Sequence, residues 1–252
     1  MINANSKKTP MISKIQLRKG QQQNPQQFPY REAVGELFYL VTFTRPDLAQ
    51  SVGYLSRFSS CPGEEHWEAV KRVLRYIKGT INHGLFFPIG DGNKLNMDVF
   101  SDSDYAGDKN DYRSTTGFVI KLENYVIDYG SSKQKSVSCS SCEAEYVACG
   151  HTVRRAMWLR KILLELRSIN DNNPISIKMD SQSSLQLAIN ENYSGRAKHI
   201  GVQHHFIKEL IIIKMEWIST HVMIADMFTK SLDYVKFNNN KKKIMSVFES
   251  AA

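Results

Sequence analysis

The stretch MDVFSDSDYAGDKNDYRSTTGFVIKLENYVIDY, residues 97–129, decides the fold. Its apolar residues alternate with polar ones, so it reads as strands at Met97–Asp102, Thr116–Leu122 and Tyr125–Tyr129 separated by polar turns. Three neighbouring strands with short connections fold as an antiparallel meander.

Downstream the period changes. Tyr146, Cys149, Val153, Met157, Ile162 and Leu166 line one side of a long helix over Cys142–Leu166. Strand Ile175–Met179 runs into a helix at Ser181–Ile189, followed by a basic loop (Asn190–His199) and a helix over Gln203–Ile213. Strand Met215–Ser219 and helix Ala225–Leu232 close the pattern. The order β-β-β-α-β-α-α-β-α predicts an α/β fold, a mixed five-stranded sheet with flanking helices. Ligands of such sheets gather at strand ends near the topological switch point.

Upstream, Val34, Leu37, Phe38 and Val41 mark a helix that stops before Thr44-Arg45-Pro46. Leu48, Val52, Leu55 and Phe58 mark a second, ending at Cys61-Pro62-Gly63. Trp67, Val70, Val73, Leu74 and Ile77 stripe a third, whose remaining surface carries Lys71, Arg72, Arg75 and Lys78. That basic face suits a polyanion, although a solvated helix surface is the commoner reading of such a run taken alone. The expected divisions are a disordered Gln-rich lead-in (1–29), a small all-α segment (30–90), the α/β domain (94–235, after the turn Gly90-Asp91-Gly92) and a loosely ordered tail (236–252).

A hydrophobic content of 42% in 252 residues is enough for a packed core. The formal net charge of +8 favours an anionic partner such as nucleic acid. No run reaches the ~18 apolar residues of a membrane span, and the polar start is unlike a signal peptide. The expectation is no membrane partner and an intracellular location, in a cytoplasmic particle or the nucleus. Cys139, Cys142 and Cys149 with His151 lack the spacing of a zinc site, because most of them fall on one helix.

Four acidic residues fall at strand ends or helix starts: Asp102, Glu145, Asp180 and Asp226. Each has an ordinary alternative. Asp180 could cap the following helix, and Asp226 could favour a helix dipole. Ser140 and Glu143 fit a capping box, which leaves Glu145 free to face the sheet. Together the four predict a carboxylate cluster that holds Mg²⁺ or Mn²⁺, two ions, against a phosphodiester. Asp104 shares the parity of Asp102 but lies beyond the strand, where organising the turn is its commoner role.

At these residues the sequence resembles a known family. YREAVGELFYLVTFTRPDLAQSVGYLSRF, HWEAVKRVLRYIKGTINHGL, FSDSDYAGDKNDYRSTTGFV, SSKQKSVSCSSCEAEYVA, KHIGVQHHFIKE and IADMFTKSL are similar to the ribonuclease H end of copia-type retrotransposon Pol polyproteins, with the helical reverse-transcriptase connector before it. The resemblance implies a ribonuclease H-like fold and cleavage of RNA in an RNA/DNA hybrid, with Asp102, Glu145, Asp180 and Asp226 as catalytic metal ligands. The alternative is a catalytically inactive relic that binds nucleic acid non-specifically. No polymerase palm or tyrosine-x-aspartate-aspartate segment is present, so a separate reverse-transcriptase polymerase domain is a candidate partner. The chain departs from its relatives at Arg155, Ser181, Gly201 and Met223, none of them an expected ligand. Lys198 and Lys230 are candidate phosphate contacts alongside the basic helix face. His221, where related ribonucleases H carry a mobile histidine, is a candidate for assisting product release, with an ordinary exposed histidine as the alternative.

Overall fold

The computed structural model describes residues 3–19, 28–87, 95–171, 173–189 and 212–248. Helix α1, Tyr30–Phe43, buries Tyr30, Val34 and Leu37. It ends before Arg45, because a proline ring disfavours helical backbone in the residue before it; Arg45 is at φ −125° and ψ 71°. A 3-10 turn, Pro46–Leu48, leads into α2, Ala49–Ser56.

Helix α3, Glu64–Lys78, buries His66, Ala69, Val70, Val73 and Tyr76. Its inner stripe is therefore rotated from the expected one, and Trp67, Leu74 and Ile77 sit half-buried at the edge. The reason is that two residues with polar tips find partners inside. His66 Nδ1 accepts from Gly63 N–H at 2.9 Å, and Tyr76 Oη donates to Asp47 Oδ2 at 2.5 Å. Arg45 grips the two oxygens of Asp47 from Nε and Nη2, both at 2.9 Å.

Strand β1, His83–Gly84, is followed by β2, Met97–Asp104, β3, Thr115–Leu122, and β4, Tyr125–Lys133. Then come α4, Ser141–Glu165, β5, Ile175–Met179, α5, Gln182–Ile189, and β6, Ile213–Trp217. The chain finishes with α6, Asp226–Thr229, α7, Tyr234–Lys242, and β7, Ser246–Val247. The main sheet is ordered β4-β3-β2-β5-β6, antiparallel through the first three strands and parallel from β2 to β6. This is the mixed five-stranded sheet with flanking helices expected from the sequence. β2 and β4 run further than expected, because the ladder continues through Asp104, Thr115 and Lys133. The expected loop Asn190–His199, with Lys198, lies outside the described residues, as does nearly all of the expected helix Gln203–Ile213; Ile213 itself opens β6.

Alternation along the strands sends their side chains to two layers. Val99, Phe118, Ile120, Ile177 and Met179 pack on Tyr146, Cys149 and Val153 of α4. Val119 and Val126, on the other face, join one cluster with Val52 and Leu55 of α2, Val73 and Tyr76 of α3, and Phe228 of α6. The helices of 30–78 therefore do not close a core of their own; they form the second layer over the sheet. The expected boundary at Gly90–Gly92 lies outside the described residues.

Two expectations are corrected. The described part of the lead-in is docked: Met11 and Leu17 are buried, and Leu17 N–H donates to Tyr54 Oη at 2.8 Å. Isolated apolar residues in irregular chain have no period, so the sequence does not announce them. The tail is also built in. Phe237, Ile244 and Met245 are buried, and β7 pairs with β1.

Candidate metal centre

Asp102 is near the end of β2 and 1% exposed. Its ladder partner on β3 is Gly117. A Cβ at Gly117 would lie 2.9 Å from Ala225 O and 2.6 Å from Thr229 Cγ2, so only glycine lets α6 settle here. That approach brings Thr229 Oγ1 to Asp102 Oδ2, to which it donates at 2.7 Å.

Glu145 enters from the first turns of α4. Ser140 Oγ accepts from Glu143 N–H at 3.1 Å, and Glu143 Oε2 accepts from Cys139 N–H at 2.8 Å. Glu143 thus caps as expected, one residue further back than the N-cap amide, and Glu145 faces the sheet. Oε1 of Glu145 accepts from Ser103 N–H at 3.3 Å, while Oε2 is buried with no hydrogen-bond partner in a residue only 8% exposed.

Asp180 directly follows β5. The capping alternative does not apply to it, because Ser181 Oγ takes the Ser184 N–H at 3.3 Å. The Asp180 carboxylate instead accepts from Thr220 Oγ1 at 2.8 Å. Asp102, Glu145 and Asp180 converge, each offering an oxygen within 4.8 Å of the others'.

Asp226 does not join that group. It opens α6 fully buried, with Lys230 Nζ 2.5 Å from Oδ1 and Lys236 Nζ on Oδ2. Spacing alone could not show this, since Lys230 reads as an exposed helix residue and Lys236 falls in the stretch expected to be a loosely ordered tail.

The electrostatics follow from burial. Glu145 is pushed up to about 9, by desolvation and then by the charges of Asp102 and Asp180. Asp102 is raised to about 7, again chiefly by desolvation, with Lys230 opposing and Asp226 and Asp180 adding. For Asp226 desolvation works upward, but Lys230 and Lys236 outweigh it and hold the carboxyl below its ordinary range. An uncompensated buried carboxylate oxygen among two more carboxylates is a site short of positive charge, and all-oxygen donors suit a hard divalent cation. The residues present fit Mg²⁺ or Mn²⁺ at the three; they give the fourth carboxylate to lysines.

Beside the centre lies a cleft of about 440 Å³ lined by Asp104, Thr229 and Lys230 together with Lys14, Arg57 and Lys109. The last three cations were not singled out in the sequence, because they come from the lead-in, α2 and a turn that only the fold brings together. Arg57 is engaged by Asp108 at 3.2 Å and by Thr115 Oγ1 at 3.1 Å.

The expected basic face of α3 is largely occupied. Arg72 Nη2 donates to Thr9 Oγ1 at 2.9 Å, Lys78 Nζ to Ala4 O at 2.9 Å, and the Arg75 carbonyl accepts from Lys7 N–H at 3.3 Å. Lys71 pairs with Glu68 on the same helix. The lead-in therefore covers part of the surface assigned to nucleic acid. His221 is exposed next to Thr220, the residue that holds Asp180. Among the described residues no helix is long and apolar enough to cross a membrane, and Cys139, Cys142 and Cys149 form no disulfide.

No protein-family model matches the chain. It is 39% identical over 249 residues to the retrovirus-related Pol polyprotein from transposon RE2 of Arabidopsis thaliana, covering 97% of this chain and 17% of that protein. To the corresponding polyprotein from transposon RE1 of the same plant it is 41% identical over 218 residues, covering 85% of this chain and 15% of that protein. Among solved structures it is similar to LC11-RNase H1, crystallised with an RNA/DNA hybrid, at 16% identity and a TM-score of 0.39, over 53% of this chain and 94% of that one. The chain thus spans less than a fifth of the length of the polyproteins it matches, and over most of its own length it is similar to retrovirus-related Pol polyproteins of plant transposons.

Proposed function

We propose that the chain is a divalent-metal-dependent endonuclease that hydrolyses the RNA strand of RNA/DNA hybrids. The observation that carries this reading is the unpaired, buried Oε2 of Glu145 beside Asp102 and Asp180 at the ends of adjacent parallel strands. The hybrid is the substrate that the family resemblance implies.

A cation held by these three carboxylates supplies Lewis-acid polarisation of a phosphoryl oxygen and a nucleophilic water near neutral pH. The chain's own residues set up that chemistry. Thr229 fixes one oxygen of Asp102, Ser103 N–H fixes Oε1 of Glu145, and Thr220 fixes Asp180, so the free oxygens are held in place rather than searching for it. Lys230, Lys14 and Lys109 line the adjoining cleft, where their ammoniums can neutralise backbone phosphates without reading sequence. The Asp226 pair with Lys230 and Lys236 keeps that carboxylate from repelling the substrate.

Cleavage of an end-labelled RNA/DNA hybrid in Mg²⁺, compared with a DNA duplex and with single-stranded RNA, tests the proposal. Asp102→Asn and Glu145→Gln are expected to slow hydrolysis by on the order of 100-fold or more while hybrid binding persists. Cleavage unchanged in both variants sinks the assignment of these residues. A wild-type chain that binds hybrid without cutting it would favour the inactive relic.

A further inference from the structure

Lys236 is aimed at Asp226 by an anchored helix. Asp233 Oδ1 accepts the Lys236 N–H at 3.1 Å and so starts α7. Phe237, the next residue, is buried with its ring edge-on to Tyr76 at a centroid distance of 5.8 Å. One turn further, Asn240 Nδ2 donates to Met223 O at 3.2 Å, which ties the helix to the segment just ahead of Asp226. Held at its start, middle and end, α7 delivers the Lys236 ammonium to Oδ2 of a carboxylate that has no exposed surface.

Lys230 does not play the same part. It lies among Asp102, Asp104 and Asp226, so its charge is shared across the centre. The salt bridge of Lys236 is to Asp226, whose other oxygen takes Lys230. Asp226 thereby has an ammonium at each oxygen, an ion pair at Oδ1 and a hydrogen bond at Oδ2, while Glu145 Oε2 in the neighbouring group of three is buried with no hydrogen-bond partner.

We propose that Lys236 is a positioning residue that withholds Asp226 from the cation site, so that the free protein takes one divalent cation, at Asp102, Glu145 and Asp180, with the ammonium supplying the second positive charge. The inference rests on the metal-dependent reading above and goes beyond it in stoichiometry. A four-carboxylate centre for two ions, as the sequence suggests, would need Asp226 released from both lysines.

Mn²⁺ binding to the full chain without nucleic acid, followed by calorimetric titration and by electron paramagnetic resonance of the free ion, tests it. Wild type is expected to bind one Mn²⁺. Asp226→Asn should keep that ion with a dissociation constant within about threefold, whereas Asp180→Asn should weaken it by roughly tenfold or more. Lys236→Met, which keeps the aliphatic stem, should admit a second ion, and Lys236→Arg should restore a count of one. Two ions in wild type, one in Lys236→Met, or loss of the ion in Asp226→Asn each overturn the role of Lys236 and leave a metal-dependent centre standing. Should Lys236→Met not fold, the Asp226→Asn arm still decides. Absence of Mn²⁺ binding in the wild type overturns the metal-dependent reading itself.

Discussion

Glu145 is costly to keep charged unless a cation is present, and this has a measurable sign. Its folded-state value of about 9, and that of Asp102 at about 7, lie above the ordinary carboxylate range of about 4. The native state therefore holds protons that the unfolded chain has released. The stability these groups contribute is fully present below about pH 4 and is lost as pH rises through about 7 and 9. In EDTA the melting temperature should fall from about pH 5 to 9; saturating Mg²⁺ should flatten the slope, and Glu145→Gln should flatten part of it without metal. A cation-free profile that rises over this range would contradict the geometry. Asp102, Glu145 and Asp180 were legible in the sequence because each stands where a periodic pattern ends, and a sheet places such ends together. The fate of Asp226 was not, because it depends on a lysine ten residues away, across the break between α6 and α7.

At the scale of elements, α6 is seated by the absence of a side chain. Gly117→Ala must push the helix off β3, since the new methyl would meet Thr229 and Ala225. The expected result is a loss of about 1–3 kcal/mol in denaturant unfolding, together with weaker Mn²⁺ binding as the Thr229–Asp102 bond lengthens. Gly130→Ala, whose methyl would meet the Phe118 ring instead, should destabilise with Mn²⁺ affinity preserved. Equal effects on binding from both would show that α6 does not position the centre. In the helical layer, Asp47 holds Arg45 and Tyr76 together out of water. Asp47→Asn strands the buried guanidinium and should cost about 3–5 kcal/mol by urea titration, with little change in the cation site. The helices themselves were readable from their stops at Pro46 and Cys61-Pro62-Gly63. The rotation of α3 was not, because His66 and Tyr76 count as polar in a pattern until their internal partners are known.

For the whole molecule, the shared cluster of Val52, Val73, Val119 and Phe228 joins what sequence boundaries separate. Residues 94–235 produced alone should expose Val119, Val126 and Phe228 and aggregate or melt well below the full chain, a difference that light scattering and thermal unfolding would show. A monodisperse fragment with the melting temperature of the full chain would mean that the helical layer is dispensable. The meander and the mixed five-stranded sheet were legible because strand number, short turns and helical crossovers leave few topologies. Layer sharing was not, since the outward apolar residues of β3 and β4 look the same whether helices of this chain or of another cover them. The pairing of residues 83–84 with 246–247, extended by Phe248 N–H donating to Asn82 O at 2.8 Å, also closes a loop of chain. Residues 102, 145, 180 and 226 all lie between the two paired ends, so the candidate metal centre sits on a stretch of chain tied off at both sides, and loosening the tie would slacken that stretch without breaking a rung of the main sheet.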